Sequence, residues 1–264
     1  MIRLCVFDLG GTICDKYSLS PFISLKKAFY NKGIKINDSL IFKDMGMDKL
    51  DHINLILKDK YVARNWFHRY GYYPTGGCGN EVMQEFNRYQ ITEGIDNIDI
   101  LPETKSCIDL LQKNNISTGV TTGFNKPTMM NIRDKLIDNE IHIDKYVSST
   151  CLDSLSRPYP FMIQEIMEKI SLNDPTRVIK VDDSVIGIME GQNAGCITVG
   201  VAKWSTNMKI TSFDEINNLT KKEYRNKLKE SREILWSAKP HYVINSLDEL
   251  YPLIQKINDS KFNN

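Results

Sequence analysis

Six short apolar runs punctuate the chain: IRLCVFD (2–8), ISTGVTT (116–122), KYVSST (145–150), RVIKVDD (177–183), CITVGV (196–201) and HYVIN (241–245). Each has strand length and is bounded by turn-forming or polar residues. Most are separated by segments of helix length, at 103–114, 127–138, 158–170 and 185–194. Such alternation predicts an α/β fold, a Rossmann-like parallel sheet with helices on both faces.

Residues 17–100 break this rhythm. Apolar positions there recur with helical spacing, around PFISLKKAFYNKG, MDKLDHINLILKD and NEVMQEFNRYQ, and no run reads as a strand. The pattern predicts a helical insertion after the first strand. Within it, YYPTGGCGN is glycine-rich but lacks the GK[ST] ending of a phosphate-binding loop, so it reads as a plain helix-to-helix loop. Residues 221–236, KKEYRNKLKESREILW, read as a charged amphipathic helix.

Composition narrows the possible partners. The 264 residues carry 34 lysines and arginines against 33 acids, so no global field draws the chain to nucleic acid or an anionic membrane. The six cysteines include no CxxC pair, which argues against a zinc site or a disulfide framework. With no signal-like segment and no bilayer-length apolar run, the expectation is a soluble cytoplasmic protein.

Candidate chemistry lies at the strand ends, where open parallel sheets bind ligands. Asp8 ends the first strand and enters LGGT, Thr122 ends the second, and Asp182 and Asp183 end VIKV. Acids from two strand ends suit magnesium, which takes a few carboxylate oxygens together with water and substrate phosphate. Each aspartate is also a good helix N-cap, so capping is the competing reading. For Asp8 it is the weaker one, because Gly10 and Gly11 allow backbone to approach a ligand.

A second cluster lies in the insertion, in MGMDKLDHI (45–53). On one helix, Met45, Lys49 and His52 would fall at i, i+4 and i+7 and share a face. Lys49 has no acid three or four positions away in either direction. An amine beside a thioether in a partly apolar pocket would be held neutral and nucleophilic; a solvated lysine beside a histidine paired with Asp48 is the alternative.

DLGGT, VTTG and KVDDS together resemble the first, second and fourth motifs of the haloacid dehalogenase (HAD) superfamily. More narrowly, MGMDKLDHI, TTGF and RPYPFM resemble the phosphonoacetaldehyde hydrolase (phosphonatase) family, over residues 6 to about 203 in the expected order, with HYVINSLDEL similar to its final strand and helix. The resemblance implies a HAD-like hydrolase core of residues 1–15 and 101–264, a helical cap of residues 16–100, and an active site between them. It makes Asp8 the nucleophile and Lys49 the Schiff-base amine, with His52 as a proton shuttle. Thr122 and Arg157 would contact the phosphoryl group and the charge near the nucleophile, and Met45, Gly10, Gly11, Gly123 and Phe124 would line the substrate site. Magnesium would be held by Asp8, the Gly10 carbonyl and Asp183. A homodimer through the cap is the family expectation, and Lys180 reads as structural.

Several positions depart from the family pattern. Gly10 stands where many superfamily phosphatases have a second aspartate; phosphonatases also lack that acid. The fourth motif usually reads GDTxxD, but this chain has DDSVIG (182–187): Asp183 keeps the first carboxylate, Gly187 replaces the second, and Asp182 occupies the usual glycine position. Asp182 could compensate only if the turn redirects its side chain. Leu9 and Phe124 stand where aromatic and tyrosine residues are common. Two rival readings therefore stay open, a magnesium-dependent phosphatase of phosphate esters and a catalytically impaired phosphonate-binding homologue.

Overall fold

The computed structural model describes residues 1–152 and 155–262. The first apolar run forms β1 (Leu4–Phe7), and the chain then leaves the sheet for a run of helices: α1 (Leu19–Asn31), α2 (Asp38–Lys43), α3 (Lys49–Lys58), α4 (Lys60–Tyr70) and α5 (Gly76–Tyr89). It returns through α6 (Thr104–Lys113), β2 (Ser117–Thr122), α7 (Lys126–Asp138), β3 (Lys145–Ser148) and α8 (Phe161–Lys169). The remaining elements are β4 (Val178–Asp182), α9 (Val185–Asn193), β5 (Ile197–Val201), α10 (Phe213–Asn218), α11 (Lys221–Ser237), β6 (Tyr242–Ile244) and α12 (Leu250–Phe262).

Among the described residues, the six strands form one sheet in the order β3, β2, β1, β4, β5, β6, and every pairing is parallel. The central strands β1 and β4 are buried along their whole length, which explains why they read as unbroken apolar runs rather than alternating ones. Strand order reverses between β1 and β4, and this topological switch point opens a crevice at their carboxyl ends. Asp8 continues β1 into that crevice, its N–H donating to Val181 O at 3.0 Å.

The helical insertion has its own apolar centre, in which Phe22, Phe29, Ile53, Val62, Trp66 and Phe86 pack together. Met208 and Ile210, which follow β5, join the same cluster and carry it onto the sheet-bearing part of the chain. The two chain crossings run side by side, with Asp15 N bonded to Asp99 O at 2.7 Å and Leu101 N to Ile13 O at 3.0 Å.

Two local expectations need correction. YYPTGGCGN is only partly a loop, because α5 begins at Gly76 with Thr75 as its N-cap. Gly79 sits on α5 where a Cβ would stand 2.1 Å from Asn54 Oδ1, so glycine there permits close packing against α3. Met45, Lys49 and His52 likewise do not share one helix: α3 starts at Lys49, capped by Asp48, whose Oδ1 accepts the N–H groups of Leu50 (2.9 Å) and Asp51 (3.2 Å). Met45 lies in the preceding turn. No helix among the described residues is long and apolar enough to cross a membrane.

Candidate active site

The crevice at the switch point and the start of α3 line one small cavity of about 20 Å³, room for roughly one water molecule. Its lining brings together Asp8, Gly10, Met45, Lys49, Thr122, Gly123, Phe124 and Asp183, with Ser18, Ser184 and Thr206. Residues far apart in sequence, from both the sheet and the helical insertion, thus converge on one point. Gly11 stands directly behind it, where a Cβ would be 2.3 Å from Asp183 Oδ2.

The insertion is fastened over the sheet by polar contacts. Ser149 Oγ donates to Asp48 Oδ2 at 2.7 Å, and Arg157 Nη1 donates to Gly46 O at 3.3 Å. The loop after β2 meets the turn before α3 backbone to backbone: a Cβ on Gly123 would stand 2.3 Å from Met47 O. Only glycine permits that approach.

Lys49 is 4% exposed, and its Nζ has only weak acceptors, Met45 Sδ at 3.8 Å and Met47 O at 3.4 Å, with the Phe124 ring centroid 5.8 Å away. Burial lowers its pKa to about 8, against the opposing pull of Asp8 and Asp48. Burial also raises Asp8 to about 6, although Arg157 and Lys180 act against it.

Arg157 is fully buried and anchors Asp8. Its Nη1 is 2.8 Å from Asp8 Oδ1, its Nε 2.8 Å from Glu190 Oε2, and its Nη2 donates to Thr121 O at 2.6 Å. Burial disfavours the guanidinium charge, but Glu190, Asp8 and Asp182 outweigh it and hold Arg157 firmly protonated. Lys180 completes this cluster, 3.0 Å from Asp182 Oδ2, 3.2 Å from Glu190 Oε2 and donating to Thr121 Oγ1 at 2.7 Å. The sequence reading missed Glu190 and Thr121; the one signal was an acid on the otherwise apolar face of α9.

His52 is buried but not among the cavity-lining residues. Its Nε2 is 3.4 Å from Leu40 O, and its Nδ1 has no hydrogen-bond partner. Burial and the neighbouring Lys49 lower its pKa to about 3, which keeps the ring neutral. Thr122 lines the cavity, and its Oγ1 accepts the Phe124 N–H at 3.2 Å.

One carboxylate oxygen each of Asp8, Asp182 and Asp183 lies within 4.8 Å of the other two. Four buried carboxylates here, with Glu190 the fourth, face two buried cations, Arg157 and Lys180. Burial, then Asp182 and Asp8, drive the Asp183 pKa well up, and the Thr206 N–H and Arg157 offset this only in part. An all-oxygen donor set with surplus negative charge fits a hard divalent cation such as magnesium.

Comparison with known proteins agrees with this geometry. The model of the haloacid dehalogenase-like hydrolases matches residues 2–195. Phosphonoacetaldehyde hydrolase of Latilactobacillus sakei is 31% identical, covering 97% of this chain and 96% of its own, and that of Lactiplantibacillus plantarum is 29% identical, covering 97% of each. The crystal structure of a phosphonoacetaldehyde hydrolase like protein from Oleispira antarctica superposes with a TM-score of 0.91 at 25% identity, over 98% of this chain and 93% of that one. The chain therefore belongs to the haloacid dehalogenase-like hydrolases, and it resembles phosphonoacetaldehyde hydrolases of that family over nearly its whole length.

Proposed function

We propose that this chain is a phosphonoacetaldehyde hydrolase, which cleaves the carbon–phosphorus bond of its substrate to give acetaldehyde and phosphate. The observation that carries the reading beyond the family is the buried Lys49 amine, lowered to about 8, in the same small cavity as Asp8. An ordinary phosphate ester needs no such amine. An aldehyde does, because a neutral lysine condenses with it.

In this reading the Lys49 amine adds to the aldehyde carbon and a water leaves, forming an imine that is protonated on nitrogen. Asp8 then attacks phosphorus. The electron pair of the breaking C–P bond flows into the protonated imine, leaving an enamine on Lys49 and an aspartyl-phosphate on Asp8. One water hydrolyses the acyl phosphate; protonation of the enamine carbon and a second water release acetaldehyde and restore Lys49.

The geometry supports these roles. Arg157 occupies Asp8 Oδ1, which leaves Oδ2 for the attack. The burial of Lys49 and Asp8 limits the access of bulk water to the amine and the acyl phosphate. We read His52 as a positioning residue that packs behind Lys49 in its neutral form. Thr122, Gly123 and Phe124 form the core side of the substrate pocket, and Met45 the insertion side. Magnesium held by Asp8, Asp183 and the Gly10 carbonyl would, when bound, neutralise phosphonate oxygens.

We also read residues 16–100 as a cap domain that opens and closes over the core. Exposed Tyr61, Phe67, Tyr72 and Tyr73 on and beside α4 support pairing of two caps in a homodimer. Six free thiols among the described residues, five of them buried, support a reducing cytoplasmic location.

The test is to incubate the protein with phosphonoacetaldehyde and magnesium, measure released phosphate, and treat a parallel sample with borohydride before mapping modified lysines by mass spectrometry. Phosphate release with reductive trapping at Lys49 is the expected result. Hydrolysis of phosphate esters that survives loss of Lys49 would replace this reading with a phosphatase.

A further inference from the structure

The cavity that holds Asp8 and Lys49 has room for about one water molecule, too little for any phosphonate. Beside it lies a groove of about 600 Å³, a volume in the range of small-molecule sites. The two spaces share three lining residues, Met45, Ser184 and Thr206, which form the neck between them. A second groove, of about 590 Å³, reaches the same turn at Met47 but shares no residue with the small cavity.

Thr206 stands at the neck with a hydrogen bond to spare. The residue is 3% exposed, and its hydroxyl has no hydrogen-bond partner. Its backbone is held in place: the Thr206 N–H donates to Asp183 Oδ2 at 2.8 Å, and on either side the Ser205 hydroxyl (2.7 Å) and the Asn207 side-chain amide (2.8 Å) donate to Asp183 O. The Ser184 hydroxyl, by contrast, is in use, donating to Asp182 Oδ1 at 2.7 Å and accepting the Gly187 N–H at 3.2 Å. Burying a hydroxyl without a partner costs free energy, and an oxyanion entering the neck would supply that partner. Met45 closes the third side with a flexible thioether, and its contact with Lys49 Nζ at 3.8 Å is a weak one to give up.

The charge of the groove suits the same visitor. Lys43, at the end of α2, and Lys209, beyond β5, are exposed on its wall against one acid, Asp44. Net positive charge at the mouth of a concave site draws an anion inward. We infer that this groove is the port through which the anionic substrate reaches Asp8 and Lys49, and that at its inner end the Thr206 hydroxyl donates to a phosphonate oxygen. The identity of that substrate rests on the hydrolase reading above; the oxyanion chemistry does not, so inorganic phosphate probes it without turnover.

Phosphate binding to the full chain with magnesium would be measured by isothermal titration calorimetry, alongside steady-state kinetics with phosphonoacetaldehyde and thermal melting. The proteins are the parent, Thr206→Val, Thr206→Ser, the double variant Lys43→Glu/Lys209→Glu and, as a control on the second groove, Lys58→Glu.

Thr206→Val is expected to weaken phosphate binding and raise KM, each about tenfold, while melting at or above the parent temperature, because a methyl replaces an unpaired hydroxyl. Thr206→Ser should stay within about threefold of the parent in both, since it keeps the donor. The lysine double variant should lower phosphate affinity and kcat/KM by about fivefold or more at low salt, with kcat kept, and the deficit should fade as salt rises. Lys58→Glu should change neither. Parental phosphate affinity in Thr206→Val would overturn the role of its hydroxyl. A loss in Lys58→Glu as large as in the lysine double variant, or no loss in either, would overturn the port. Phosphate binding that shows these variant effects without any cleavage of phosphonoacetaldehyde would keep the port and overturn the hydrolase reading instead.

Discussion

Lys49 Nζ lies 3.8 Å from Met45 Sδ, so the buried amine of this protein faces a thioether where a carboxylate would ordinarily stand. A thioether is a weak acceptor and carries no charge to stabilise an ammonium. Burial then decides the protonation state. With its pKa at about 8, an appreciable share of Lys49 is neutral near pH 8, whereas a surface lysine near 10.5 would be almost wholly protonated.

The first prediction concerns pH. The limb of kcat/KM against pH that reports the free amine should rise with an apparent pKa near 8, the value held by Lys49. Replacing Met45 with glutamate would place a negative charge beside the amine and shift that limb upward by about one unit or more. A limb unchanged in the Met45→Glu variant would separate it from Lys49.

Lys49→Met should lower phosphate release from phosphonoacetaldehyde by at least about a thousandfold while keeping the fold. The thioether side chain suits the apolar niche between Met45 and Phe124, and it removes a buried charge. Its melting temperature should match or exceed that of the parent. A large fall in melting temperature would show that the ammonium stabilises the fold.

Asp8→Asn should abolish turnover and, in metal-free protein at neutral pH, raise the melting temperature. The Asp8 pKa is raised from 3.8 to about 6, so the folded state holds its proton more tightly than the unfolded state does. Ionised Asp8 therefore costs stability in full above about pH 6, and the cost disappears as pH falls through 3.8. The advantage of the variant should shrink over that same interval in melts at pH 7, 5 and 4. An advantage that is independent of pH would contradict the assignment.

Gly123→Ala should reduce turnover by about a hundredfold, because its Cβ would stand 2.3 Å from the Met47 carbonyl oxygen and force the two loops apart. Since the clash involves backbone rather than a flexible side-chain tip, relaxation must move the turn that carries Met45 and Lys49. Steady-state kinetics with a melting curve checks this, and parental kinetics would show that the loops separate at no cost.

Glu190→Gln removes one charge from a cluster that holds Arg157, Lys180 and Thr121. Breaking a buried ion pair of this kind costs about 3 kcal/mol, so denaturant unfolding should report a loss of that order. Because Arg157 also grips Asp8, kcat should fall further than KM changes. Unaltered kinetics in a destabilised variant would limit Glu190 to a structural role.

The chain order of strands and helices, the helical insertion after β1, and the placement of Asp8, Thr122 and Asp183 at strand ends were all legible in the sequence. These follow from period and punctuation, which are local: a buried parallel strand is a short apolar run, and a ligand site at its end is a polar residue beside glycine. The start of α3 was misjudged by one turn because the capping strength of Asp48 competes with helical periodicity that extends back through Met45. YYPTGGCGN was misjudged for a related reason, since glycine packing against Asn54 lets a helix begin where propensity alone disfavours one.

Tertiary structure alone decided the rest. Only the closing of the insertion over the sheet buries Lys49, and that burial, with a smaller push from the Arg157 charge, lowers its pKa. His52 turns toward Leu40 rather than into the cavity, a choice made by packing between α2 and α3. Arg157, Glu190, Lys180 and Asp182 are separated along the chain, yet they meet in one fully buried cluster at the switch point. Sequence patterns report which face of an element is apolar. Ionisation and charge pairing depend on distances between elements, and those exist only once the chain has folded.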